Sequence, residues 1–248
     1  MSKLSKIFLF DVDGTLSIDG IIPKSAVLVL KHLRKAGHKV LLCTGRCLGQ
    51  LADILNKIEI DGAILNNGAY AYLDNKVIYE NPIETDTILS LAKSGLCLGV
   101  LSKDCYGIIN YENKVMQAFV KHFELKMPKE VNIDYVKNNP IYSLGIYTFH
   151  SLVDTINDYQ DLNFIKVCDV GYDIIKKGVS KATPIAYLKE AYKECEIIAF
   201  GDNYNDIEML KAADIAIVMS TAPKEVKEIA DYVTTDGIAY AIKNYLKL

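Results

Sequence analysis

The sequence predicts an α/β fold, a doubly wound (Rossmann-like) parallel sheet core with an inserted α+β cap domain. Three observations predict it. Apolar, strand-length runs alternate with helix-period segments up to residue 66 and again from Gly178 onward. These runs are apolar on both faces, as expected of strands covered by helices on both sides. Between them, several strand-like segments alternate apolar and polar residues, so one sheet face there should meet water. The expected organisation is a core of residues 1–80 and 179–248, with residues 81–178 inserted.

Each element follows from its pattern. KIFLF (6–10) reads as a strand and SAVLVLKHLRKAG (25–37) as a helix closed by Gly37. KVLLC (39–43) is a second buried strand, CLGQLADILNKI (47–58) a helix and GAILN (62–66) a third strand. This β-α-β-α-β order requires right-handed crossovers and a parallel sheet. In the insertion, IETDTILSLAKSG, KVMQAFVKHFEL and SLVDTINDYQDL are helical, and CLGVLS, YGIINY, YSLGIYTF, FIKVCDV and YDIIKK are strands. The rhythm then resumes: helix SKATPIAYLKEAYKE, strand EIIAFGD, helix NDIEMLKAA, strand DIAIVM, helix PKEVKEIA, strand YVTT and a helix over the last dozen residues.

Composition narrows the function. Lys+Arg 28 against Asp+Glu 31 leaves −3, so bulk charge draws the chain to neither nucleic acid nor anionic lipid. No run of 18 apolar residues predicts a membrane span, and MSKLSKIFLF runs too soon into carboxylates to be a signal segment. The six cysteines form no CxxC, which suits reduced thiols in a cytoplasmic protein. No Gly-Lys dipeptide occurs, which excludes a P-loop, and no GxGxxG occurs for a dinucleotide.

In a doubly wound sheet, ligands bind beyond the carboxyl ends of the strands. Four polar clusters fall there: DVDGT (11–15), TGR (44–46), SK (180–181) and GDNYND (201–206). Alternation along an extended chain sends Asp11 and Asp13 to one side and Val12 to the other. Asp202 and Asp206 arrive on another strand end. Such carboxylates cannot all stay ionised together without a cation or raised pKa values, and an all-oxygen donor set suits Mg²⁺. Arg46 and Lys181 sit where helices open, the wrong end for a cation unless an anion is bound there. Each alone reads as a solvated surface cation; the two together, beside Thr44 and Gly45, point to phosphate. Asn205 could add an amide donor or cap the NDIEML helix.

With these residues together, the chain resembles the haloacid dehalogenase superfamily of aspartate-nucleophile phosphatases. DVDGTL, CTGR, the lysine of GVSK and GDNYND match its four motifs in order. NNGAY (66–70), the DII…KGVSK run (173–181) and the insertion between the second and third motifs resemble its Cof-type subfamily, which carries an α/β cap. Ala182 departs from the glycine usual there. The resemblance implies that Asp11 is the nucleophile and that Asp13 protonates the leaving group and later activates water. It implies that Asp11, a backbone carbonyl at Val12 or Asp13 itself, and Asp202 hold Mg²⁺, with Asp206 supporting the metal. Thr44, Gly45, Lys181 and Asn205 would cradle the phosphoryl group, with Arg46 on phosphate or substrate, and Gly14 and Thr15 would form the turn.

The implied function is a Mg²⁺-dependent phosphatase of small phosphorylated metabolites, sugar phosphates first. Flavin-precursor, cofactor or nucleotide phosphates are alternatives. The cap would cover the site and select the substrate, with Tyr106, Tyr172 and Asp173 as candidate lining residues that could equally be packing. A non-hydrolytic, receiver-like phosphoprotein module is the reading from another class; a receiver keeps its acyl phosphate, and Asp13 argues against that. Cys43 and Cys47 flank the TGR cluster, where a cationic neighbourhood would lower a thiol pKa and make it oxidation-sensitive.

Overall fold

The computed structural model describes residues 5–122, 127–150 and 152–248. The start of MSKLSKIFLF (1–4), the end of the KVMQAFVKHFEL helix (123–125) and Ser151 of the SLVDTINDYQDL helix lie outside the described residues. In chain order the strands are β1 (Lys6–Phe10), β2 (Lys39–Cys43), β3 (Gly62–Leu65), β4 (Tyr70–Leu73), β5 (Lys76–Glu80), β6 (Cys97–Leu101) and β7 (Tyr106–Ile109). They continue as β8 (Lys129–Glu130), β9 (Ser143–Tyr147), β10 (Leu162–Cys168), β11 (Gly171–Lys176), β12 (Glu196–Gly201), β13 (Ile215–Met219) and β14 (Tyr232–Thr234).

The chain divides into two compact units. The first contains the chain up to Gly45, Leu51–Tyr79 and Ser180–Leu248; the second contains Arg46–Gln50 and Glu80–Val179. The first unit is built on the sheet ordered β14-β13-β12-β1-β2-β3-β4-β5. From β14 to β3 all pairs are parallel, which bears out the doubly wound core. The chain winds outward from β1 through β2 to β3, and outward again from β12 through β13 to β14. The strand order therefore reverses between β1 and β12, and a crevice opens at their carboxyl ends.

β1 is buried on both faces, which is why KIFLF has no alternation. Ile7 and Leu9 enter a cluster with Ile185, Leu188, Met209 and Leu210. Phe8 and Phe10 stack at 6.2 Å on the other face, and Phe10 stacks on Phe200 of β12 at 4.8 Å. A strand filled this completely has room for polar groups only past its end.

The sheet also holds a hairpin beyond the strands expected from the sequence. β4 pairs antiparallel to β3, and β5 extends the sheet beyond it. Asp74 and Asn75 turn the chain with φ of 50° and 62°, the left-handed geometry of a tight two-residue turn. Helix 47–58 is a correction: a 3-10 turn at Leu48–Leu51 leads into a short α-helix, Ala52–Leu55.

The second unit has a sheet ordered β10-β11-β9-β6-β7-β8. One face packs on helices Thr85–Lys93 and Ile133–Asn138 through Ile88, Leu91, Val136, Leu144 and Ile146. The other face was expected in water and is only partly so. Helix Asn113–His122 covers part of it with Val115, Met116 and Phe119 against Ile108 and Tyr147, while β10 leaves Ile165 exposed. Helix Ile133–Asn138 and the short β8 were not foreseen from the sequence.

Phe200→Ala should lower the free energy of urea unfolding by about 3–5 kcal/mol, the cost of emptying a buried aromatic site. A loss below about 1 kcal/mol would contradict the Phe10–Phe200 stack as a core contact.

Candidate active site

The end of β1 delivers Asp11 to the crevice. Its N–H still donates to the Phe200 carbonyl at 2.9 Å, so the β1–β12 register fixes its height. Asp11 is buried, Val12 fully so, and Asp13 is exposed. The two carboxylates of DVD thus differ in environment, one at the floor of the crevice and one in solvent.

Lys181 is 1% exposed, so it is not a solvated surface cation. Its ammonium donates to Asp11 Oδ1 at 2.5 Å and to Asp206 Oδ1 at 2.6 Å. Burial alone would lower its pKa, but the Asp11 and Asp206 charges more than offset this and hold it above the usual lysine range. Asp206 is fully buried, and its Oδ2 accepts from the Asp202 and Asn203 N–H groups at 3.0 and 3.1 Å. It braces the loop and the lysine at once.

Asp202 is held from the β1 side. Thr15 Oγ1 donates to Asp202 Oδ1 at 2.6 Å. Gly14 lies so close that any Cβ there would strike the Asp202 carboxylate, and its φ of +89° also favours glycine. The sequence presents Gly14 and Thr15 as a turn; the structure adds that they seat the Asp202 carboxylate that follows β12.

Some expected roles move. The Val12 carbonyl accepts from both Leu16 and Ser17 N–H groups, at 3.1 and 2.7 Å. Two acceptances occupy its lone pairs within the turn, so the Val12 carbonyl does not suit a cation. Asn205 is exposed and is not the cap; Asn203 caps the turn in a reciprocal box with Asp206. Arg46 packs with the second unit, its Nη1 donating to the Gln50 carbonyl at 3.3 Å. Thr44 is buried, its N–H donating to Ile64 at 2.9 Å and its carbonyl accepting from Asn67 at 3.1 Å.

Cys43 and Cys47 are fully buried rather than activated. Burial pushes the Cys43 thiol up despite Lys181, and pushes Cys47 up to about 11. All six cysteines are free. In the second unit, Tyr106 bonds the Tyr147 hydroxyl at 2.6 Å, and Tyr172 packs on the apolar cluster, so both serve the local sheet.

One supporting element went unassigned from the sequence. In the NNG of NNGAY, three successive residues have positive φ: Asn66 52°, Asn67 52° and Gly68 99°. Gly45 rests against the Asn67 amide, where a Cβ would lie 3.0 Å away, and a Cβ on Gly68 would strike the Ser180 carbonyl. This turn therefore packs the TGR loop and the start of the Lys181 loop together. The signal was the Asn-Asn-Gly tripeptide itself, since these residue types tolerate left-handed geometry best.

Asp11, Asp202 and Asp206 each bring a carboxylate oxygen within 4.8 Å of the others. Burial, with Asp206 and Asp202, raises the Asp11 pKa against the pull of Lys181; burial likewise raises Asp202. Three carboxylates against one ammonium leave two uncompensated negative charges, which a divalent, oxygen-seeking cation fits. Asp206 already accepts three hydrogen bonds, so Asp11 and Asp202 are the carboxylates more open to such a cation, with Asp206 behind them.

The model of the haloacid dehalogenase-like hydrolases matches residues 8–245. YkrA of Bacillus subtilis is 28% identical over 255 residues, covering 96% of this chain and 97% of that protein. The 5-amino-6-(5-phospho-D-ribitylamino)uracil phosphatase YitU of Bacillus subtilis is 25% identical, with 98% of each chain covered. Among solved structures, a hypothetical protein of Geobacillus kaustophilus HTA426 superposes with a TM-score of 0.91 at 26% identity, covering 98% of this chain and 100% of that one. The subclass IIB sugar phosphatase BT4131 gives 0.80 at 25%, with the same coverage.

Lys181→Met keeps the buried stem and removes the charge, leaving Asp11 and Asp206 without their cation. Urea unfolding in chelator at neutral pH should show a loss of about 3–5 kcal/mol. A loss under about 1 kcal/mol would mean that the two carboxylates do not depend on the ammonium.

Proposed function

Because the chain belongs to the haloacid dehalogenase-like hydrolases, we propose that it cleaves small phosphorylated metabolites at Asp11 with the help of Mg²⁺. It is a phosphoric monoester hydrolase. The observation that carries the site assignment is the Asp11–Lys181–Asp206 cluster at the switch point of the sheet.

Asp11 Oδ attacks phosphorus in line, forming an aspartyl-phosphate as the ester P–O bond breaks. Asp13, exposed beside the floor carboxylate, gives its proton to the leaving alkoxide. It then takes a proton from the water that attacks the aspartyl-phosphate, which frees phosphate and restores Asp11. Lys181 holds Asp11 in place and offsets charge as phosphate arrives. Thr44, Gly45 and Asn205 serve as phosphate contacts. Asp11 and Asp202, with Asp13, would hold Mg²⁺, and Asp206 would support them; the cation would supply neutralisation between nucleophile and phosphate.

Residues 81–178 are proposed as the substrate-selecting cap on the core of residues 1–80 and 179–248. The likeness to a sugar phosphatase supports sugar phosphates as the first substrate class, and the likeness to YitU supports flavin-precursor phosphates as the second. No described helix is long and apolar enough to cross a membrane. With six free cysteines, we place the protein in the reducing cytoplasm.

Asp11→Asn should abolish hydrolysis of p-nitrophenyl phosphate, by at least about 10³-fold in kcat. Thorough chelation should silence the wild-type enzyme, with Mg²⁺ restoring it. Near wild-type turnover by the variant would sink the covalent route, and undiminished turnover in EDTA would sink the metal. Ranking kcat/KM over sugar, flavin-precursor and nucleotide phosphates decides the substrate class.

A further inference from the structure

Lys181 carries its buried ammonium just ahead of helix Thr183–Ala191, the end of a helix that disfavours a positive charge. Its two ion pairs fix the tip of the side chain, and the main chain beneath it needs a hold of its own. We propose that Thr183 is a positioning residue for the reaction: its hydroxyl closes a turn around Lys181 and so sets the ammonium at Asp11. The inference rests on reading Lys181 as the cation that offsets charge during phosphoryl transfer.

The turn is closed from within by two hydroxyls. Thr183 Oγ1 accepts from the Ser180 N–H at 2.9 Å, and the Thr183 N–H donates to the Ser180 carbonyl at 3.0 Å. Ser180 Oγ accepts from the Ala182 N–H at 3.3 Å. Residues 180 and 183 thus hold main-chain donors on either side of Lys181, with the reciprocal logic of a capping box. Threonine suits the place because its β-branched side chain is stiff at χ1.

The turn is also seated from outside. Gly68 lies so close that a Cβ there would strike the Ser180 carbonyl. Cys43 Sγ donates to the Lys181 carbonyl at 3.9 Å, and burial keeps that thiol protonated. The carbonyls of Ser180 and Lys181 and the N–H groups of Ser180 and Ala182 are therefore all engaged. The partner of Lys181 is held in the same manner, because Asp206 belongs to the reciprocal box with Asn203. The Lys181–Asp206 ion pair therefore joins two closed turns. All of these residues belong to the first unit.

A lysine ammonium rides on a flexible four-carbon stem, so a small rotation of the main chain swings it by a larger displacement. Charge placed in advance at the reacting groups is worth more than charge that must be ordered during reaction. Closing the turn at Thr183 therefore serves the chemistry without touching substrate.

The test compares wild type, Thr183→Val, Thr183→Ser and Ser180→Ala. Turnover of p-nitrophenyl phosphate in Mg²⁺ gives kcat and KM, and thermal melting gives Tm. Acetic anhydride labelling with peptide mapping gives the acetylation rate of Lys181, with the exposed lysines as internal standard. Thr183→Val removes the hydroxyl at nearly constant shape. It should lower kcat by about tenfold with KM within about threefold of wild type, the scale of a sub-ångström misplacement. Lys181 should acetylate about tenfold faster through local opening, while Tm stays close to wild type. Thr183→Ser keeps an oxygen for the Ser180 N–H and should stay within about twofold of wild type in both readouts. If Thr183→Val fails to fold, Ser180→Ala carries the test with the same two changes expected, because it opens the other half of the turn. Wild-type kcat or unquickened acetylation in Thr183→Val, or equal damage in Thr183→Ser, overturns the inference. A fall in kcat that comes only with a fall in Tm also overturns it, since a merely structural residue does that. A wild type that hydrolyses nothing, with faster acetylation in Thr183→Val and not in Thr183→Ser, removes the phosphatase reading and leaves Thr183 as the residue that sets Lys181. Hydrolysis by wild type with both readouts unaltered in Thr183→Val removes the inference alone, and no hydrolysis with unaltered acetylation removes both.

Discussion

A buried ammonium between two carboxylates is the constraint on which the rest of the structure depends. Lys181 holds Asp11 of the first strand and Asp206 of the loop after β12. Burying that charge would be prohibitive without both partners, and burying either partner would be costly without the charge. The three residues lie 170 and 25 positions apart in sequence, so the cluster forms only when β1, β12 and the segment carrying Lys181 come together.

The same constraint explains small residues around it. Gly14 gives way to Asp202, Gly201 to Asp206 and Gly68 to the Ser180 carbonyl beside Lys181. Asp206 turns its second oxygen to two amides, so it serves as cap and as counter-charge together. What remains unbalanced is Asp11 with Asp202, at the open side of the cluster. That imbalance is the chemical opportunity: a place for a cation, and a carboxylate whose attack on a phosphate it would permit.

Much of this was legible in the sequence because the chemistry is concentrated at strand ends. An apolar run that stops at DVDGT and another that stops at GDNYND mark the crevice, and both fall at the switch point. What stayed hidden depends on how turns spend their hydrogen bonds. Val12 and Asn205 look suitable from their residue types, but the turn takes the Val12 carbonyl and gives the cap to Asn203. The sequence marks Lys181 as a cation of the site but not that it is buried between two carboxylates. The segment after TGR has a helical pattern, yet its first residues pack on the turn at 102–105 and the helix starts late. The β4–β5 hairpin was written in YAYLDNKVIYE, an alternation around Asp-Asn, and needed only that turn to be weighed.

The central claim is that Asp11, and not another acid of the cluster, carries the phosphoryl group. Acid quenching during turnover of a phosphate ester, followed by borohydride reduction and peptide mapping, tests it directly, because an acyl phosphate on aspartate is reduced to homoserine. Homoserine at position 11, dependent on both substrate and Mg²⁺, is the predicted result. Homoserine at position 13 or 202, or phosphate release with no trapped acyl phosphate under any quench, would contradict it.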